Sequence, residues 1–243
     1  MEVLAACHMH SEWSYDGSWS LEALRDRFSR GHRVLLMTEH DRGFNAARFD
    51  QYREACSKAS SSKMLVVPGI EYSDAANRVH VLVWGAPFLG EGLSTGEMLE
   101  AVQAANGVAV LAHPSRRNAW QSFQPNWAGK FLGIEVWNRK YDGWAPSTTA
   151  RELPQTGDPI PFVGMDFHTE RQSFPLAMAL DLQADVTEEA VFDCLRSRRC
   201  SARAFGVPLS QHLLRALIPA LSIAEQGRRK AASIVRQSKA LAR

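Results

Sequence analysis

The feature that most restricts how this chain folds is a series of short, wholly apolar runs separated by stretches with helical spacing. Strands are predicted at Val3 to Cys7, Val34 to Met37, Met64 to Val67, Val79 to Trp84, Val108 to Leu111, Ile134 to Trp137, Phe162 to Met165 and Leu176 to Leu182. Between them, Leu21, Leu24 and Phe28 recur at i, i+3 and i+7. Ala46 to Ala59 places Phe49, Tyr52 and Cys56 on one helical face. Ser94 to Glu97 fits a capping box ahead of Met98, Leu99 and Val102, with Gly107 at the expected helix end. Thr187 caps a helix whose buried face is expected to hold Ala190, Val191, Cys194 and Leu195. A strand that is apolar at every position is covered on both faces. The expected class is therefore α/β with a parallel sheet.

Composition sets the outer limits. The chain has 243 residues, 45% of them hydrophobic, enough for a core without staples and incompatible with dominant disorder. A net charge of +2 does not indicate nucleic acid or an anionic membrane as partner. The four cysteines form no C-x-x-C pair, and no apolar stretch of ~18 residues exists to span a bilayer. The opening MEVLAACHMH lacks a signal-peptide pattern, so the expected location is the reducing cytoplasm. From Val207 onward the composition changes. Seven basic residues and the single acid Glu225 make this tail +6 and leave the preceding part near −4. Leu213, Leu214, Leu217, Ile218 and Leu221 form an apolar stripe, and Pro219 is expected to kink or split the helix. Two readings apply: a helix that recruits a partner or nucleic acid, or one that packs on the core with a solvated basic face, the commoner case.

The histidines are not scattered. His8, His10, His40, His80, His113 and His168 lie at the end of an apolar run or just after one; His32 and His212 do not. Asp16, Glu71 and Asp166 share that placement or fall in the loop that follows. Divalent ions take imidazole nitrogen and carboxylate oxygen at about 2.0–2.2 Å, so ligands must converge from several segments. Strand ends of a parallel barrel meet at one rim, which favours a closed barrel over an open sheet. In an extended strand His8 and His10 face the same side, and so do Asp166 and His168. Each feature has a plainer reading. A lone H-x-H is a weak signal, a single histidine after an apolar run is ordinarily a satisfied rim residue, and Glu71 alone fits a rim ion pair. The conjunction carries the weight, because so many donors at one rim are unfavourable without cations.

Several strings occur in a fixed order: His8-Met9-His10-Ser11 with Asp16-Gly17, Met37-Thr38-Glu39-His40-Asp41, Pro68-Gly69-Ile70-Glu71-Tyr72-Ser73, Val79-His80-Val81-Leu82, Ala112-His113-Pro114, Gly133-Ile134-Glu135-Val136 and Gly164-Met165-Asp166-Phe167-His168. Over about residues 3–206 the set resembles the successive motifs of the PHP (polymerase and histidinol phosphatase) family. The resemblance implies a distorted, TIM-like (β/α)7 barrel over residues 1–206, followed by the basic amphipathic helical tail, 207–243. It also implies a trinuclear cluster of divalent Mn, Fe or Zn that hydrolyses phosphoesters. By matching motifs, His8, His10 and Asp166 would hold the first metal and Glu71 would bridge it to the second. His80 and His113 would complete the second, and Asp16, His40 and His168 the third.

Two metals about 3.5–4 Å apart share a water and lower its pKa toward neutrality, so the expected reaction is in-line attack on phosphorus by a bridging hydroxide. Asp166, or His40, is the expected proton carrier to the leaving oxygen. Arg116 and Arg117 directly follow His113-Pro114-Ser115 and read either as a phosphate clamp or as solvated loop residues. The same two readings cover Arg42, Lys140 and Arg171. Asn138 is expected to line the pocket, Glu135 to be a strand-end structural residue and Cys7 to pack. Only 52 residues separate His113 from Asp166, too few for the inserted domain of some family members. Trp120, Trp127, Tyr141 and Trp144 on the intervening loops remain to shape the pocket. The expected substrate is a small phosphorylated metabolite, a nucleotide or a nucleic-acid end. The competing readings are a metal-dependent hydrolase of a non-phosphate ester or carbamate, and a non-catalytic accessory module that recruits a partner by its tail.

Overall fold

The computed structural model describes residues 1–147, 149, 153, 158–210 and 212–241, the last helix by its backbone alone at 213–215 and 235–241. Its strands are β1 (Glu2–Met9), β2 (Val34–Met37), β3 (Glu39–His40), β4 (Leu65–Val67), β5 (Gly69–Ser73), β6 (His80–Trp84), β7 (Val108–Leu111), β8 (Gly133–Asn138), β9 (Ile160–Gly164), β10 (Leu176–Asp181), β11 (Cys200–Ala204) and β12 (Val207–Pro208). The helices are α1 (Leu21–Phe28), α2 (Ala46–Ala59), α3 (Thr95–Ala104), α4 (Glu188–Arg196) and α5 (His212–Leu241).

Local chemistry explains the helices. Ser20, Asn45, Ser94 and Thr187 each cap a helix by accepting a backbone N–H, and Ser94 and Glu97 form the reciprocal capping box. The buried faces follow the helical period: Leu21, Leu24 and Phe28 in α1, and Phe49, Tyr52, Cys56 and Ala59 in α2. In α4 the buried set is Val191, Phe192, Cys194 and Leu195, so Phe192 takes the place expected of Ala190.

The strands form two six-stranded sheets, ordered β12-β11-β10-β1-β2-β4 and β3-β5-β6-β7-β8-β9. The expected all-parallel sheet is corrected to a mixed one. β1–β2, β2–β4, β3–β5, β7–β8 and β8–β9 are parallel, whereas β1–β10, β5–β6, β6–β7 and β10–β11 are antiparallel. Apolar continuity reports cover on both faces, not strand direction, and the antiparallel β5–β6 pair satisfies it equally well. Burial bears out the two-sided cover. In β2, Leu35 and Met37 join the core shared with α1–α3, while Val34 and Leu36 join a second core with β10 and α4. β6 and β7 alternate in the same way.

The two sheets are linked along both margins. On one side the chain leaves β2 and β4 in the first sheet and continues directly as β3 and β5 in the second. On the other, the upper half of β1 bonds the segment after β9: Met165 N donates to Cys7 O, Phe167 N to His8 O and His10 N to Phe167 O, all at 3.0 Å. Gly69 sits at the first seam because nothing larger fits there. A Cβ would overlap the Trp84 ring and the Met37 carbonyl, which accepts from Trp84 Nε1 at 2.8 Å.

α5 is continuous through Pro219, so the expected split does not occur. Pro219 is exposed, and water can satisfy the carbonyl that its missing N–H leaves free. Of the predicted stripe, Ile218 and Leu221 are half-buried and Leu217 is 49% exposed; the side chains of Leu213 and Leu214 lie outside the described residues. The helix is fastened by Glu225, whose buried carboxylate accepts from Trp144 N (3.3 Å), Arg228 (2.6 and 2.7 Å) and Arg229 Nε (2.6 Å). No described helix is long and apolar enough to cross a membrane.

Two outcomes are expected. Gly69→Ala lowers stability by about 1–3 kcal/mol through overpacking, measured as a shifted urea midpoint; an unchanged midpoint contradicts the close approach. At Glu225, burial pushes the carboxyl up, but the Arg228 and Arg229 guanidinium groups outweigh it and hold it down to about 2. A carboxyl depressed in the folded state stabilises fully above its ordinary value of 4.5 and loses that contribution as pH falls toward 2. Glu225→Gln is therefore less stable than wild type near neutrality, and the gap closes in acid; a gap independent of pH contradicts this.

Candidate metal centre

β1 brings His8 and His10 to the site, but not by simple alternation. The β1–β2 register shifts between Cys7 and Met9, and His8 adopts φ 59°. The extended geometry expected for His8-x-His10 is thus corrected to a bulge, which turns His8 inward and places the two rings 5.3 Å apart. Asp166 (φ 49°) and His113 (φ 25°) are likewise in the left-handed region, held there by the seam bonds and by Glu135 on the His113 N–H. Strain of this kind is sustained only where the surroundings over-determine it. His80 begins β6 instead of ending a strand. Because β6 runs antiparallel to β5, its first residue reaches the same rim as Glu71.

All nine expected ligands come together. Glu71 is at the centre, wholly buried. Its Oε1 lies 2.6 Å from His80 Nδ1 and 2.8 Å from His113 Nε2. Its Oε2 lies 3.1 Å from His40 Nδ1, 3.4 Å from His10 Nε2 and 3.5 Å from His8 Nε2. Asp166 Oδ1 is 3.6 Å from His10 Nε2, 3.9 Å from His8 Nε2 and 3.3 Å from His168 Nδ1. Asp16 spans His40 Nε2 (3.4 Å) and His168 Nε2 (3.1 Å). Three groups have ligand atoms within 4.8 Å of one another: His8, His10 and Asp166; His8, Glu71 and His113; His10, His40 and His168.

The donor set fits cations. Nine buried side-chain N and O atoms among the described residues make no hydrogen bond, and four of them, His8 Nε2, His10 Nε2, Glu71 Oε2 and His113 Nδ1, gather in this cluster. Such orphans are unfavourable in a folded protein unless something binds them. The opposite nitrogens are anchored. His8 Nδ1 faces Glu135 Oε1 at 2.9 Å, and His10 Nδ1 faces Ser14 Oγ, which donates to Glu39. His80 Nε2 faces Asn77 Oδ1 at 2.7 Å. Each anchor fixes the ring and turns its other nitrogen to the centre, the arrangement that orients metal-binding imidazoles. The acids and imidazoles also shift one another's protonation, in both directions. Burial raises the Glu71 carboxyl, but His80 and His8 outweigh it and hold it well below its ordinary value. Burial, then His40 and His168, push His10 well down, keeping a neutral nitrogen. Burial lowers His40, but Asp16 and Glu71 carry it up to about 10.

A cavity of about 250 Å3 opens over the cluster, lined among others by Tyr15, Arg42, Asn77, Arg116, Lys140 and Tyr141. Lys140 Nζ lies 3.0 Å from Asp166 Oδ1, and that carboxylate offsets burial and raises the ammonium's pKa. Arg116 donates through Nε to Tyr141 Oη (3.1 Å) and reaches Asn77 O and Oδ1, both at 2.9 Å. Other expectations are corrected. Asn138 does not line the cavity. It is wholly buried, its Nδ2 donates to Glu135 and its Oδ1 accepts from Lys140 N and Tyr141 N. Arg117 and Trp144 lie outside the lining, as does Arg171. Trp127 is buried and Trp120 packs against the α1–α3 core, so Tyr141 is the one of the four named aromatics that faces the cavity. Glu39, Ser14 and Asn77 were not anticipated. A buried acid inside Met37-Thr38-Glu39-His40 was the available signal for the first.

No family model and no curated protein sequence matches the chain. Solved structures do. PsfC from Pseudomonas syringae aligns with a TM-score of 0.61 at 19% identity over 95% of this chain and 99% of that one. A two-domain Bacteroides vulgatus protein containing a predicted PHP-like metal-dependent phosphoesterase gives 0.58 at 19% identity, over 84% of this chain and 65% of that one. The lesion-specific endonuclease PfuEndoQ of Pyrococcus furiosus gives 0.59 at 15% identity, over 81% and 56%. This chain thus spans less than two thirds of the latter two. It has the fold of the PHP-like metal-dependent phosphoesterases.

One outcome follows from the anchors. Glu135→Gln should weaken metal binding by about 10–100-fold, read by chelator competition; wild-type affinity would show that Glu135 does not orient His8.

Proposed function

We propose that this chain is a metal-dependent phosphoesterase whose two sheets close as a distorted seven-stranded barrel, β1, β2/β3, β4/β5 and β6–β9, carrying a trinuclear centre at one rim. The backbone links along both margins support the closure. The observation that carries the reading is the splayed use of Glu71: one oxygen toward His80 and His113, the other toward His8, His10 and His40. His8, His10 and Asp166 would hold one ion, His80 and His113 a second with Glu71 shared between them, and Asp16, His40 and His168 a third. Residues 207–243 are an appended helical element. Mn, Fe and Zn all suit imidazole and carboxylate donors. The four free cysteines favour a reducing compartment such as the cytoplasm.

Bound ions would supply an activated water and neutralise charge on phosphate oxygens. The chain's own residues supply the rest. Lys140 and Arg116 present cations to the non-bridging oxygens, and Arg116 is pre-oriented by Asn77 and Tyr141. Asp166, with Oδ1 on Lys140, or His40 at the cavity wall, would take the proton released by the attacking water and pass it to the leaving oxygen. Buried Glu39 and Glu135 hold ligand-bearing loops without entering the cavity. The cavity size suits a phosphate head with a small part of its leaving group, so the substrate is a small phosphoester or a nucleic-acid end.

The test is reconstitution with Mn(II), Fe(II) or Zn(II), followed by metal analysis and assays on p-nitrophenyl phosphate, a 5′-phosphorylated oligonucleotide and p-nitrophenyl acetate. Metal-dependent cleavage of a phosphoester is expected, lost by at least about 100-fold in Glu71→Gln, beyond what removal of an orienting partner does. Cleavage of the acetate alone, or a protein that retains no metal, overturns the proposal.

A further inference from the structure

α5 is 30 residues, about 45 Å at the helical rise, and among its described side chains Glu225, Arg228 and Arg229 make polar contacts at one place. That place is the turn 139–144, which follows β8 directly and carries Lys140 and Tyr141 into the cavity. Arg229 donates through one nitrogen to Tyr141 O (2.7 Å) and Asp142 O (3.0 Å), and through Nε to Glu225. Glu225 in turn accepts from Trp144 N, and the Arg228 guanidinium lies 5.7 Å from the Trp144 ring centroid. Gly143 has φ 79°, and the space a Cβ would take is filled by the Glu225 carboxylate. The barrel holds the same turn from beneath, through Asp142 on Asn138 N and Ser115 Oγ and through Trp137 Nε1 on Gly143 O. The turn is therefore clasped between barrel and helix, and the helix holds its outer side.

What the turn presents is chemically specific. Lys140 Nζ touches Asp166 and lies 3.4 Å from His168 Nε2; the Tyr141 ring lies 4.7 Å from that of His113, and its hydroxyl accepts from Arg116. We propose that Glu225 and Arg229 are positioning residues: α5 clamps the 139–144 turn and so sets the Lys140 ammonium and the Tyr141–Arg116 pair against the substrate phosphate. This rests on the phosphoesterase reading for its kinetic consequence, but not for the clamp itself. No described residue of the helix lines the cavity. It fixes where two cations stand, and a misplacement of about 1 Å is enough to cost about 100-fold in rate.

The experiment uses the full-length, metal-loaded protein and three readouts. Amide exchange across 139–144 should accelerate in Glu225→Ala, inorganic phosphate should bind about tenfold more weakly, and metal content should stay at the wild-type level. In turnover, kcat/KM should fall by about 10–100-fold, with partial recovery in Glu225→Gln, which keeps an acceptor for Trp144 N–H. Adding Glu225→Ala to Lys140→Ala should cost less than it does in wild type, because part of the helix's effect passes through Lys140. Gly143→Ala approaches the same contact from the loop side and should reproduce the effect if Glu225→Ala folds poorly. Unchanged exchange in the turn, unchanged phosphate binding, or effects that multiply fully with Lys140→Ala overturn the proposal. Should wild type cleave no phosphoester, the hydrolase reading falls, and exchange and phosphate binding still decide the clamp.

Discussion

A carboxylate with no water around it keeps its charge only if other charges or donors replace the water, and Glu71 meets this condition with imidazoles alone. It is 1% exposed and has histidines on both oxygens. Asp166, equally buried, leans on His8 and Lys140. Holding so many titratable groups in one dry place is unfavourable unless their lone pairs converge on cations. Most of the architecture near the rim can be traced to that requirement. The bulge at His8, the left-handed backbone at His113 and Asp166, and the buried anchors Glu39 and Glu135 all turn ring nitrogens inward.

The two seams give the rim its rigidity. β2 and β4 each cross from one sheet to the other within a residue, at Thr38 and Pro68, and both crossings lie immediately before a ligand-bearing segment. On the opposite margin, bonds from Met165, Phe167 and His10 tie β1 to the β9 extension and fix His8, His10, Asp166 and His168 at once. Most donors of the cluster thus stand on strand ends and seams, with Asp16 on the β1–α1 loop. The groups that face substrate stand on the 139–144 turn and the loop after His113, which are held by side-chain bonds and by α5. The imidazole–carboxylate cluster and the cations over the cavity are accordingly carried by different parts of the chain.

Much of this was legible in the sequence, for identifiable reasons. Apolar runs located most strands, helical spacing located α1 and α2, caps located α3 and α4, and the clustering of His and acid residues at run ends singled out the nine residues that come together here. Direction was not legible: nothing in Val79 to Trp84 distinguishes a parallel from an antiparallel strand, so His80 was placed at the wrong end of its strand yet at the right rim. The short β3, β5 and β11 were hidden because they hold charged or polar residues, Glu39, Glu71 and Arg203 among them, that tertiary bonds make tolerable. Asn138 was misread because a polar residue after an apolar strand looks solvent-facing, whereas here its amide is consumed by Glu135 and the turn above it. Of the two outcomes expected at Pro219, the split is absent, because at an exposed position solvent can take the orphaned carbonyl.

The most direct test of the central claim is diffraction from crystals of the metal-reconstituted protein at the absorption edge of the added ion. Three anomalous peaks are predicted, two of them on opposite sides of the Glu71 carboxylate and the third between His40 and His168. An empty cluster, or ions bound only elsewhere on the surface, would contradict the account.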